Sequence, residues 1–245
     1  MSFPNAFIGN PESGPPTCLP AGRLKRSGVT ISFTMDMISE DWGTIDYASA
    51  YQRQRQLVEA VISGQPGRLI FCEHPPVLTL GRLFQEGSLL YTKEEIQRRG
   101  VSLQTVDRGG DVTLHAPGQL VVYVIVDLNL FDKNLKIYLE KLEQVAVDLL
   151  KDFGILAVSI PGKRGVFVKT DKITSIGVGV RKWVTYHGVG INVNTDLSLF
   201  SLIKPCGLDV NMTSMAKLLA HPIDMGEVKK KWVEIFSNIF EVQII

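Results

Sequence analysis

The chain has 245 residues, 45% of them hydrophobic and 21% charged, which suits an ordinary globular protein able to bury one substantial core. Its 26 basic and 25 acidic residues leave a formal charge of +1, too little for a protein built mainly to wrap nucleic acid or to bind an anionic membrane. No apolar run approaches the roughly 20 residues needed to span a bilayer, and the longest, over 120–130, is cut by Asp127 and Asn129.

Residues 1–28 carry Pro4, Pro11, Pro15, Pro16 and Pro20 among glycines and polar residues, and read as a flexible tail ahead of one domain over 29–245. Arg23, Lys25 and Arg26 leave an organelle transit peptide open, although the prolines oppose an amphipathic helix. Cys18, Cys72 and Cys206 are odd in number, widely spaced and form no CxxC pair, which argues against a disulfide framework or a zinc site and favours a reducing cytoplasm. The histidines make no HExxH or other metal pattern, so neither metal nor cofactor is expected.

In chain order, Tyr47, Ala50, Tyr51, Leu57, Val58 and Val61 fall on one helical face, with Asp46 as cap, Gly64 as stop and Gln54 as the only break in the stripe. Short strands over 68–72 and 77–80 follow, separated by Glu73-His74-Pro75-Pro76, which cannot continue a helix or a central strand. A short helix over 92–99 leads into a strand over 101–106, and the glycine-rich 108–119 reads as a loop before a doubly buried strand over 120–128. Tyr138, Leu142, Val145 and Leu149, with neighbours Leu139, Ala146, Leu150 and Phe153, form the clearest amphipathic helix, stopped by Gly154. Strands over 155–160, 166–169, 173–181 and 184–193 suggest a meander, and a last helix over 224–240 opens on a box-like cap of Asp224 and Glu227. Mixed helices and hairpin-connected strands without βαβ alternation argue for a single α+β domain.

Several segments carry candidate chemistry. RGGDVTLHAPGQ, over 108–119, packs two glycines, a guanidinium and a histidine between apolar strands; paired glycines let a backbone approach a ligand, though the spacing alone favours a tight turn with an exposed Arg and His. Cys206 lies in Lys204-Pro205-Cys206-Gly207, a setting that presents a side chain on a loop, while base rates alone favour an inert buried thiol. Lys172 would by itself be a solvated turn lysine. Beside a thiol it matters more: a cysteine with a pKa of about 8.5 is only about 3% thiolate at pH 7, and lowering it to about 7 takes about 2 kcal/mol, which a nearby ammonium supplies.

Taken together, EHPPVLTLG from Glu73, RGGDVTLHAPGQLVVY from Arg108, DKITSIGV from Asp171, TYHGVGINV from Thr185 and PCGL from Pro205 resemble the lipoyl(octanoyl) transferases, which share a fold with the biotin and lipoate protein ligases. The resemblance implies a mixed, largely antiparallel central sheet flanked by helices. It makes Cys206 the residue that becomes an acyl-thioester and Lys172 the lysine that lowers its pKa. It also implies an acyl site lined by Arg108, Gly109, Gly110, Asp111, Val112, Thr113, Leu114 and His115, by Ser175, Ile176 and Gly177, and by Gly188, Val189 and Gly190. The implied donor is octanoyl-acyl carrier protein; the implied acceptors are lipoyl domains of 2-oxoacid dehydrogenase complexes and the glycine cleavage H protein. No nucleotide is implied, in contrast to the ATP-dependent lipoate or biotin ligases of the same fold, which need no nucleophilic cysteine; a noncatalytic carrier-binding module is the other alternative. The chain departs from the family pattern at Ala116, where glycine is usual, at Val124, where proline is usual, and at Leu114, where an aromatic residue is usual.

Overall fold

The computed structural model describes residues 25–26, 29–30, 35–131, 133–204 and 210–245. Two units separate, Met1–Phe33 and Thr34–Ile245. In the first, β1 (Lys25–Arg26) pairs antiparallel with β2 (Val29–Thr30); the rest of the expected tail lies outside the described residues, as do Cys18 and Cys206.

The second unit is a mixed α+β fold. Its large sheet has the order β13 (Val242–Ile244), β3 (Met35–Thr44), β4 (Gly67–Glu73), β8 (Gln119–Ile125), β12 (Val184–Asn192), β11 (Asp171–Arg181), β10 (Lys163–Val168), β9 (Val158–Ile160). The run β9 to β12 is the expected antiparallel meander, β12 continues antiparallel onto β8, and only the β13–β3 and β3–β4 pairs are parallel.

The central strands are apolar at successive positions because both faces are covered. On one face Leu69, Phe71, Leu120, Val122 and Val124 pack with Tyr138, Leu142, Val145, Trp232 and Phe236 of helices α3 (Leu135–Asp152) and α5 (Met225–Phe240). On the other, Ile70, Cys72, Val121, Tyr123 and Ile125 meet Ala50, Val58 and Val61 of α1 (Tyr47–Ile62). Asp46 caps α1 by accepting from the Ser49 N–H at 2.9 Å.

A smaller sheet, β6 (Ser102–Thr105), β5 (Val77–Leu80), β7 (Val112–His115), has its own core with α2 (Lys93–Arg98), which Thr92 and Glu95 start with a reciprocal capping box. Strand β7 corrects the expectation of a continuous loop over 108–119: its residues pair antiparallel with β5, from Val77 against His115 to Leu80 against Val112. Asp224 caps α5 through the Gly226 N–H at 3.0 Å, in place of the expected box with Glu227. Among the described residues no helix is long and apolar enough to cross a membrane.

Candidate active site

Between α3, the 108–115 segment and strands β11 and β12 lies a cavity of about 370 Å³. Its apolar wall comes from Val112, Val121, Leu139, Ile176, Val178 and Val189, and its polar wall from Tyr47, Arg108, His115, Arg164, Lys172 and His187. This is within the size range of small-ligand sites, and the mix of an apolar bulk with few polar groups suits a guest with a long hydrocarbon part and one reacting end.

Of the residues expected to line an acyl site, Arg108, Gly109, Gly110, Val112, Thr113, His115, Ser175, Ile176, Gly177, Gly188, Val189 and Gly190 all border this cavity, and so does Lys172. Asp111 turns elsewhere: its carboxylate accepts from the Gln85 N–H at 3.3 Å and from the Ser88 hydroxyl. Leu114 is fully buried in the core of the small sheet. The alternation of β7 sends it to the face opposite Thr113. Cys206 falls in 205–209, outside the described residues.

Close packing shapes the roof. In the β11–β12 ladder Gly177 stands opposite Gly188 and Ser175 opposite Gly190. A methyl group on Gly177 would sit 3.0 Å from the Gly109 carbonyl and 3.1 Å from Arg108 Cδ, so its absence lets the 108–110 segment lie on the strand. There the Gly109 N–H donates to Val178 O at 2.9 Å. Arg108 is buried and anchors the segment to β5, donating through Nε to Thr79 Oγ1 at 3.1 Å and through Nη2 to Thr79 O at 2.6 Å.

Two hydrogen-bonded chains run beneath. In the first, the Gln119 amide nitrogen donates to Leu114 O at 3.1 Å and to Asn192 Oδ1 at 2.9 Å, which leaves Gln119 Oε1 to accept from His115 Nδ1 at 2.7 Å. That fixes His115 as the Nδ1–H tautomer. Burial, aided by His74 nearby, lowers its pKa to about 3, so the ring is neutral at physiological pH. Asn192 in turn donates to Thr213 O at 3.0 Å.

In the second chain, Asp107 accepts from Tyr51 Oη at 2.9 Å, from Tyr186 Oη at 2.6 Å and from His187 Nε2 at 3.1 Å. Burial alone would raise the Asp107 pKa, but these donors outweigh it and hold the carboxyl well below the usual range. Burial lowers the pKa of His187 against the pull of Asp107, so their contact is a neutral-ring hydrogen bond to a carboxylate. His187 Nδ1 is then left to accept from the Tyr47 hydroxyl, 3.2 Å away. Tyr47 stacks on His115 with ring centroids 5.8 Å apart, joining the two chains at the cavity.

Lys172 is 4% exposed, against the sequence expectation for an isolated turn lysine. Its N–H donates to Asn211 O at 2.8 Å and its carbonyl accepts from the Thr213 N–H at 2.9 Å, a parallel bridge centred on Met212. Sequence reading missed Asp107, Gln119, Asn192 and Tyr47. Their roles depend on partners far along the chain; Gln54, the break in the α1 stripe, was a visible signal, and its Oε1 accepts from the His187 N–H at 2.8 Å.

The sequence pattern described as "Lipoyl protein ligase A/B catalytic domain" matches residues 46–237. The octanoyltransferase of Bacteroides fragilis is 41% identical over 209 residues, covering 80% of this chain and 95% of that one. The octanoyltransferase of Solibacter usitatus is 43% identical over 204 residues, covering 83% and 92%. Among solved structures, a putative lipoate protein ligase of Thermoplasma acidophilum with bound lipoic acid aligns with a TM-score of 0.70 at 18% identity, over 86% of this chain and 88% of that one, a likeness of fold. The chain therefore belongs to the lipoyl protein ligase A/B catalytic family and, within it, to the octanoyltransferases, which are acyltransferase enzymes.

Proposed function

We propose that the protein takes an octanoyl group from octanoyl-acyl carrier protein onto the sulfur of Cys206 and passes it to a lysine of a lipoyl domain. The observation that carries this reading is the burial of Lys172 on the wall of an apolar cavity, with its main chain bridged to Met212, six positions after Cys206. Ile203, three positions before Cys206, bridges to Leu89, so both flanks of the cysteine-bearing segment are tied to the domain.

The Cys206 thiolate attacks the thioester carbonyl, and backbone N–H groups of the glycine-containing segments stabilise the tetrahedral oxyanion. The Gly109 N–H, already donated to Val178 O, is not among them. The carrier thiolate leaves with a proton from Lys172. In the second half-reaction the acceptor amine attacks octanoyl-Cys206, the neutral Lys172 takes its proton, and the amide forms as the thiolate departs. Thioester to amide is downhill, so no nucleotide is consumed. The octanoyl tail occupies the apolar wall, where burial at about 0.8 kcal/mol per methylene is worth about 5 kcal/mol. The acceptors are the lipoyl domains of 2-oxoacid dehydrogenase complexes and the glycine cleavage H protein, and the reaction belongs in the cytoplasm.

Mass spectrometry after single turnover without nucleotide tests the reading. An octanoyl adduct is expected on the wild type and not on Cys206→Ala; an adduct that survives in Cys206→Ala, or strict dependence on ATP and free acid, overturns it. Lys172→Ala should slow both half-reactions.

A further inference from the structure

One carboxylate sits where the apolar stripe of α3 meets the sheet. Glu143 is 6% exposed, beside Leu142 and Val145, and a charge placed there is costly unless it is paired. It has two donors: Arg164 Nη1 at 2.9 Å and the Gly165 N–H at 3.0 Å, both on the same Oε1. Arg164 borders the cavity.

Gly165 lies where β10 slips register against β9, between Lys163 and Val166, with φ at +115°. A methyl group there would stand 2.3 Å from Thr174 O and 2.7 Å from Lys172 Cε, with Lys172 Nζ at 3.3 Å. The space a side chain at Gly165 would need is thus taken by the aliphatic arm of Lys172 and by Thr174 O. Lys172 Nζ also lies 5.8 Å from the centre of the Phe167 ring, two residues further along the same strand. The arm thus lies along the β10 bulge, whose Gly165 N–H donates to Glu143.

We propose that Glu143 is a positioning residue for acyl transfer: by accepting from Gly165 and Arg164 it fixes the β10 bulge against Lys172 and so aims the Lys172 amine into the cavity. This role presupposes the acid/base function of Lys172 proposed above. What matters is where the acceptor oxygen stands and not its charge, which separates two conservative replacements. Glu143→Gln keeps an acceptor oxygen at the same reach; Glu143→Asp keeps the charge and withdraws it by one methylene.

The experiment measures rates of octanoyl-enzyme formation and of discharge to a lipoyl domain for Glu143→Gln and Glu143→Asp, each alone and combined with Lys172→Ala. A displacement of about 1 Å at a reacting group can cost about 100-fold. Glu143→Asp is therefore expected to lower kcat by at least about tenfold with KM unchanged, while Glu143→Gln stays within about threefold of wild type. With Lys172→Ala in place, Glu143→Asp should add no further loss, because two residues that act through one group are not additive. Wild-type kcat in Glu143→Asp, an effect on KM alone, or an equal loss in the Lys172→Ala background overturns the proposal. If Glu143→Asp fails to fold, Arg164→Ala replaces it, with slowing that vanishes in Lys172→Ala expected and slowing that persists there, or none at all, overturning it. Unchanged rates in Lys172→Ala alone would instead overturn the acid/base reading, whereas a slow Lys172→Ala with a fully active Glu143→Asp defeats the Glu143 role only.

Discussion

Lys172 and Met212 are joined main chain to main chain, with N–H to Asn211 O at 2.8 Å and carbonyl to Thr213 N–H at 2.9 Å. The residue that brings an amine to the cavity therefore also holds the strand-like segment that follows Cys206. Asn192 supports the same segment from below through Thr213 O, and it is linked by Gln119 to His115. The wall of the cavity and the anchor of the cysteine-bearing segment are one hydrogen-bonded unit.

Asn192→Ala removes the middle of that unit and leaves the buried Gln119 amide short of one acceptor. A loss of about 1–3 kcal/mol in urea unfolding is expected, with slower formation of the octanoyl adduct. Unfolding curves that superimpose on wild type would show that the chain from His115 to Thr213 carries no load.

The pH dependence of stability has a definite sign. His115 titrates at about 3 in the folded protein and near 6.5 when unfolded, so between those values the unfolded chain binds the extra proton. Its contribution is complete above about 6.5 and is lost as pH falls toward about 3. His74 and His187, also lowered by burial, act in the same sense, and Asp107 adds to the loss at still lower pH. Thermal midpoints of His115→Gln should fall less steeply from pH 6.5 to 3 than those of wild type; equal slopes would refute the assignment.

Asp107→Ala would leave the Tyr51, Tyr186 and His187 donors without their shared acceptor and remove the ion-pair partner of Arg55, 3.3 Å away. The cost should reach about 2–3 kcal/mol, since removing one partner leaves the others unsatisfied. Nitrogen-15 spectra should show His187 as the Nε2–H tautomer in wild type and a mixture in the variant. A single unchanged tautomer would mean that Tyr47, and not Asp107, sets the ring.

Leu139 presents its side chain from α3 to the cavity. Leu139→Trp should shorten the acceptable acyl chain, with each excluded methylene costing roughly fourfold in kcat/KM, or about 0.8 kcal/mol. Competition between hexanoyl and octanoyl thioesters reads this directly, and an unchanged preference would place the tail elsewhere.

Much of the fold was legible in the residues because local chemistry and burial agree. Asp46, Thr92, Gly64 and Gly154 mark helix ends, and the apolar runs of β4 and β8 announce strands covered on both faces. Strand β3 was hidden: MDMISEDWGT carries three acidic residues and a half-exposed pattern, and it becomes a strand by pairing with β4 on one side and β13 on the other. VTLH of β7 was hidden between glycines and Pro117, since its partner β5 lies some thirty positions earlier. In the site, the resemblance supplied contiguous stretches, and it takes the packing of β7 to separate Val112, Thr113 and His115, which border the cavity, from Leu114, which is buried in the core of the small sheet. Glu143 was invisible for a different reason. One carboxylate in a clear apolar stripe reads as noise until the bulge it serves is seen.

Gly177 and Gly188 face each other across a regular ladder, and neither has room for a methyl group, which would stand 3.0 Å from the Gly109 carbonyl in one case and 2.1 Å from Val122 O in the other. At those two points the neighbours are main chain, which has no rotamers to readjust, so the 108–110 segment and β8 can approach this closely only while both positions stay glycine. Change in the guest that the cavity accepts would then have to come from the side chains of its apolar wall, Leu139 and Ile176 among them, with the two glycines kept in place.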